Sequence, residues 1–188
     1  MKQKIVLIGA STGGPGHLKK ILSALPPTYN AALVIAQHMN SVFIPSFISQ
    51  FKNELSLGVS SIDACLELKS SMAYFCPYNC ILSKHNFTLC VEPSVHDITP
   101  YNPSVNTLFT SALPFIRDIE ILAVLLTGIG DDGAFALSAL KQEGVTCIAE
   151  SEKSAIVYGM PKRALEINPL ISSMPLDDII LHIKKFGE

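Results

Sequence analysis

The stretch that decides the fold is Lys4-Ile5-Val6-Leu7-Ile8-Gly9-Ala10-Ser11-Thr12-Gly13-Gly14-Pro15. Its first half is apolar without alternation, which predicts a strand buried on both faces. Its second half is rich in glycine and ends on proline, which suits a sharp turn leading into the first turn of a helix. Leu18, Ile21, Leu22 and Leu25 then fall at the spacing of one helix face, and Pro26-Pro27 stops the run. Buried strand, short turn and helix together open a parallel α/β unit.

The pattern repeats outward from there. Residues 31–36 form a second continuous apolar run, and Phe47, Ile48, Phe51 and Leu55 mark a helix with Pro45 in its first turn. The middle differs. Residues 59–62, 72–76 and 87–92 are short β-type pieces, with turn residues at Asn79 and His85-Asn86, and they read as hairpins. Helical spacing returns after Pro103 with Val105, Leu108, Phe109, Ala112 and Ile116. Residues 121–126 are the third strong apolar run, 132–143 read as a helix closed by Gly144, and 145–149 as a strand. Leu176, Ile179, Ile180, Ile183 and Phe186 trace a last helix, with Asp177-Asp178 near its start and Lys184-Lys185 near its end, as the helix dipole prefers. The expected architecture is α/β: a Rossmann-like, doubly wound, mostly parallel sheet with helices on both faces and a small antiparallel hairpin region near residues 59–92. With no internal repeat and no evident linker, residues 1–188 are expected to form a single domain.

Composition narrows the function. Of 188 residues, 48% are hydrophobic, enough for a core and incompatible with a disordered chain. Lys+Arg 14 against Asp+Glu 16 gives a net charge of -2, so no basic excess exists to neutralise phosphates and nucleic-acid binding is disfavoured. The run 121–126 is far short of a membrane span, and the apolar start is too short for a signal peptide, so no membrane insertion is expected. Five cysteines, odd in number and irregularly spaced, fit a reducing, cytoplasmic setting better than a disulfide framework. Cys76 and Cys80, flanked by Cys65 and Cys90, are separated by three residues rather than the two usual for zinc, and read as buried thiols.

In open α/β sheets the sites form beyond the carboxyl ends of strands. After the first run stand Ser11, Thr12, Gly13 and Gly14; after the second, Gln37-His38-Met39; after the third, Thr127-Gly128-Ile129-Gly130-Asp131-Asp132-Gly133. Parallel strands would carry a serine, a histidine and an aspartate to one edge, the material for an activated serine nucleophile. The glycines would aim backbone amides at a developing oxyanion. A phosphate pocket is the rival, although Ser11 occupies the place of the second glycine of a dinucleotide fingerprint and Pro15 the place of the P-loop lysine. A purely structural turn is the third reading. Taken singly, Ser11 is a ready helix cap, His38 a ready hydrogen-bonded structural histidine, and Asp131 and Asp132 compete for one role. His17, His85, His96 and His182 lack aligned partners and read as surface or structural.

Residues 8–15 resemble the nucleophile loop of the receptor protein-glutamate methylesterases of bacterial chemotaxis, the CheB-type catalytic domain. Gln37-His38-Met39 resembles the histidine motif of that family, and residues 126–134 its aspartate motif. Pro103-Ser104-Val105 with Leu108-Phe109, and residues 157–161, resemble two further signatures in family order. The resemblance implies Ser11 as nucleophile, His38 as general base and then acid, and Asp132, not Asp131, as the group that orients the imidazole. It implies an oxyanion and substrate loop built from Thr12, Gly13, Gly14 and the surroundings of Ile129. It also implies hydrolysis of glutamate γ-methyl esters on the cytoplasmic helices of methyl-accepting chemotaxis receptors, releasing methanol. Deamidation of receptor glutamines by the same acyl-enzyme route is implied as well, with no metal or organic cofactor. The alternative within that fold is a catalytically weak or silent receptor-docking module. Three departures from the family pattern stand out: the motif begins at residue 5, with no receiver domain ahead of it; Ile129 stands where Met is usual, a mild change if that position acts through its backbone amide; and Asn102 stands where an Arg that could help bind an acidic receptor surface is frequent.

Overall fold

The computed structural model describes residues 2–52, 54–94 and 99–188. The first run becomes strand β1 (Lys4–Ala10), followed by helix α1 (Gly14–Ser23), strand β2 (Ala32–Gln37) and helix α2 (Ile44–Lys52). The middle supplies β3 (Gly58–Ser61), β4 (Leu66–Glu67), β5 (Met72–Phe75), β6 (Cys80–His85) and β7 (Thr88–Pro93). Then come α3 (Val105–Thr110), β8 (Glu120–Leu125), α4 (Ala134–Gln142), β9 (Thr146–Glu150), α5 (Met160–Ile167), β10 (Ser172–Met174) and α6 (Leu176–Phe186).

Seven strands make one sheet in the order β10-β9-β8-β1-β2-β5-β3, every pairing parallel. The chain leaves β1 towards β2 on one side and later returns to β8 on the other. The winding direction therefore reverses at β1, the place beyond the carboxyl ends where open α/β sheets bind their ligands. Strand residues alternate between two cores, which explains why β1 must be apolar throughout. Val6 and Ile8 pack with Leu18, Ile21, Ile48 and Ile179 of α1, α2 and α6. Ile5 and Leu7 pack on the opposite face with Leu108, Phe109, Leu137 and Ala164 of α3, α4 and α5.

The antiparallel region is narrower than the sequence suggested. Only β4, β7 and β6 form the separate three-stranded antiparallel sheet. Residues 58–61 and 72–75, expected among the hairpins, join the main sheet in parallel next to β2. Their shortness imitated hairpin strands. What separates them is the connection: residues 62–71 leave the sheet, contribute β4 to the small sheet, and return. Four short elements escaped sequence reading: β4, β6, α5 and β10. α5 begins with Pro161 in its first turn, and β10 has only three residues, too few for a periodic signal.

Candidate active site at the carboxyl ends of β1, β2 and β8

Ser11, His38 and Thr127 stand one or two residues beyond neighbouring strands, because β1 lies between β2 and β8 in register. Ala10 is paired with Gln37, and the His38 amide donates to Ala10 O at 2.9 Å. Ser11 and His38 thus leave adjacent strands at the same level, about 4.8 Å apart in the backbone. On the other side the Ser11 amide donates to Thr127 O at 2.9 Å. A Cβ on Gly128 would lie 2.7 Å from Ser11 Cβ, so only glycine lets the third loop come this close. Gln37 ties the first two loops together: its Nε2 donates to Ser11 O at 2.9 Å and to His38 O at 3.0 Å.

Asp132 is 1% exposed, whereas Asp131 is exposed. Its carboxylate takes four donors. His38 Nε2 donates to Oδ2 at 2.7 Å and the Val105 amide to Oδ2 at 2.7 Å. The Asn106 amide donates to Oδ1 at 2.9 Å and Ser104 Oγ to Oδ1 at 3.2 Å. Two of these donors are backbone N–H groups of the first turn of α3, the end of a helix that favours a negative charge. Burial pushes the carboxyl up, but hydrogen bonds from His38, Asn106 and Val105 outweigh it and hold it below the ordinary aspartate value. An ionised carboxylate only accepts, so Nε2 of His38 carries the proton and Nδ1 is left with its lone pair.

The structure thus brings His38 and Asp132 into direct contact and sets Ser11 on the neighbouring strand end. Among the described residues no hydrogen bond joins the Ser11 hydroxyl to the imidazole. The amides of Thr12 and Ile129 donate to no protein acceptor among the described residues. Gly13, at φ 86°, turns the chain into α1, and Gly14 has no room for a side chain, since its Cβ would meet Gln37 Oε1. Ile129 is 62% exposed at the tip of its loop. Asn102 donates nothing to the cluster; its Oδ1 accepts the Asn79 amide at 2.8 Å.

Several contributors were invisible in the sequence. Tyr101 stacks on His38, ring centroids 4.8 Å apart and nearly parallel, and its hydroxyl lies where a side chain on Gly130 would be. It thereby fixes the plane of the imidazole against the third loop. His17 is buried, and its Nδ1 lies 3.2 Å from Glu150 Oε2. The same carboxylate oxygen accepts the Thr127 amide at 2.8 Å. Thr127 Oγ1 in turn donates to Thr12 O at 2.8 Å. The residue 157–161 segment braces that loop, with the Gly159 and Met160 amides donating to Gly128 O at 3.1 and 2.9 Å. Each of these roles depends on contacts across 23 or more residues of chain, which no local pattern encodes. His96 lies outside the described residues.

Comparison with known proteins places the chain in a family. The family described as CheB methylesterase matches residues 6–183. A protein-glutamate methylesterase/protein-glutamine glutaminase of Carboxydothermus hydrogenoformans is 38% identical over 182 residues, covering 94% of this chain and 51% of that protein. One of the same name from Caldanaerobacter subterraneus is 35% identical over 177 residues, covering 88% and 46%. The chain therefore spans about half the length of the curated relatives it matches. The crystal structure of the Thermotoga maritima CheB methylesterase catalytic domain superposes with a TM-score of 0.90 at 30% identity, covering 98% of this chain and 99% of that one. With the family model matching nearly the full length and a solved catalytic domain superposing over 98% of the chain, the chain belongs to the CheB methylesterase family.

Proposed function

We propose that this chain is a serine hydrolase that removes γ-methyl esters from glutamates of chemotaxis receptors, and that it acts as one catalytic domain in the cytoplasm. The observation that carries the reading is the 2.7 Å contact between His38 Nε2 and a buried, ionised Asp132, one strand away from Ser11. Asp132 fixes the tautomer, so Nδ1 is the nitrogen that takes the Ser11 proton. Ser11 and His38 leave adjacent strand ends, and a nucleophile and its base commonly tighten into contact only on substrate. Ser11 Oγ attacks the ester carbonyl. The oxyanion is received by the unengaged amides of Thr12 and Ile129, each fixed by a hydrogen-bonded loop. The imidazolium then protonates the departing methoxide, which leaves as methanol. Water, deprotonated by the same Nδ1, releases the glutamate and restores Ser11.

The relatives' printed names add glutamine deamidation, which the same steps accommodate with ammonia as the leaving group. A protein substrate is supported by exposed apolar side chains beyond the strand ends: Val42 and Phe43 after β2, Ile129 after β8, and Ile156 after β9. Receptor helices carrying methylated glutamates are the proposed partners. The test is methanol release from methylated receptor. Ser11→Ala is expected to fold normally and lose about 10⁴-fold or more in rate. Undiminished release by that variant rejects Ser11 as nucleophile.

A further inference from the structure

A second cluster of chemically potent side chains stands apart from the strand-end site, on the outer face of the small antiparallel sheet. Strand pleating assigns one face of that sheet to Leu66, Leu82, Leu89 and Val91, which pack into the core. The opposite face carries Ser83 and His85 from β6, and Thr88, Cys90 and Glu92 from β7. Leu66 is paired with Val91 across β4 and β7. One step outward, Cys65 therefore meets the row of Glu92, on that same outer face.

The side chains converge. One ligand-capable atom each from Cys65, His85 and Glu92 lies within 4.8 Å of the other two. His85 Nε2 and Glu92 Oε2 are 3.2 Å apart. Cys90 stands between Thr88 and Glu92 on β7, opposite Ser83, and is 5% exposed. Its thiol donates to Thr88 O at 3.7 Å, so it is engaged outside the cluster.

We propose that Cys65, His85 and Glu92 form a three-donor binding site for a zinc-class divalent cation, with the fourth position left to water. The donor set of thiolate sulfur, imidazole nitrogen and carboxylate oxygen is the one zinc takes, at about 2.3 Å to sulfur and about 2.0–2.2 Å to nitrogen and oxygen. Tetrahedral bonds of those lengths separate the donors by roughly 3.5 Å. The observed spacing reaches that value with small rotations of side chains that are exposed at Cys65 and His85 and therefore free to turn. Soft sulfur donors favour zinc over magnesium or calcium. The cation would join the residue before β4, a strand of only two residues, to the β6–β7 hairpin. It thereby fastens the least paired strand of the small sheet.

The experiment uses the whole chain, reduced, desalted and titrated with Co²⁺ alone. One Co²⁺ per chain is expected, with a near-ultraviolet thiolate-to-cobalt band that one equivalent of Zn²⁺ abolishes. Cys65→Ser should remove the band, and His85→Asn and Glu92→Gln should each weaken binding at least tenfold. Cys147→Ser, at a thiol buried in the main sheet, should leave it unchanged. Circular dichroism and metal-free thermal midpoints of these variants close to wild type establish that they are folded. No band in the wild-type chain, or a band of equal affinity in Cys65→Ser, overturns the proposal. Neither result bears on ester hydrolysis, because no residue of the cluster belongs to the strand-end site.

Discussion

Replacing Asp132 by Asn keeps the volume, removes one charge and leaves more donors than the side chain can accept. Each carboxylate oxygen accepts two donors: Oδ2 from His38 Nε2 and the Val105 amide, Oδ1 from Asn106 N and Ser104 Oγ. An amide has one accepting oxygen, so its NH₂ must face one of these pairs. If the oxygen takes the Oδ2 place, Ser104 can turn and accept, but the Asn106 N–H is orphaned. If it takes the Oδ1 place, His38 must shift its proton to Nδ1, and the Val105 N–H is orphaned. Either orientation strands one backbone donor of α3, at a cost of about 1–3 kcal/mol. For a chain of this size that lowers the thermal midpoint by roughly 3–9 °C. The first orientation removes the charge that supports the imidazolium, and the second places the proton on the nitrogen that must accept from Ser11. Methanol release should therefore fall by about 10³–10⁴-fold. Acid titration gives a second readout. The folded carboxyl is held below its unfolded value, so its contribution is complete above about pH 4 and is lost as the pH falls through the folded value. The stability gap between wild type and Asp132→Asn should accordingly be flat near neutrality and shrink in acid. A variant that hydrolyses within tenfold of wild type would refute the assignment of Asp132 as the orienting group.

Two further outcomes rest on the packing. His17→Ala removes one partner of Glu150, which is 0% exposed and, among the described residues, retains the Thr127 amide and the Ser154 hydroxyl. Urea unfolding should show a loss of about 2–3 kcal/mol, and Glu150→Gln, which keeps an acceptor for Thr127, should lose less; equal loss in both would rule out the pair as the source. Gly13→Ala places a Cβ at φ 86°, 2.6 Å from the Ile156 Cβ. The clash is with a Cβ, which moves only with its own backbone, so the loss should exceed the about 1–2 kcal/mol of the left-handed conformation alone, read as a lower urea midpoint at unchanged slope.

Residues 4–10, 32–37 and 120–125 were legible as central strands because a strand buried on both faces must be apolar at every position, a constraint that leaves a local record. The helices that cover them were legible for the same reason at the helical period. β3 and β5 were legible as strands but not as members of the main sheet, since pairing direction is set by where the chain travels between them, not by the residues within them. β4 and β10, of two and three residues, fell below the length at which periodicity speaks.

The site divides along a similar line, and the division has a physical cause. Ser11, His38 and Asp132 could be found because strand ends are marked in the sequence and parallel strands bring their ends together. Tyr101 could not, since it reaches His38 from a segment between β7 and α3 that belongs to neither strand end. Glu150 could not, because a carboxylate ending an apolar strand looks like the start of a surface loop until Thr127 and His17 are seen to enclose it. Both act on loops rather than on a reacting atom: Tyr101 sets the plane of a ring, and Glu150 sets the height of Thr127, which holds Thr12 and receives the Ser11 amide. The sequence therefore exposes groups whose chemistry depends on type and strand position. It hides groups whose contribution is a distance across the fold. In this chain the hidden groups hold the Ser11 and third loops in register, so the unengaged amides of Thr12 and Ile129 depend on residues that neither loop contains.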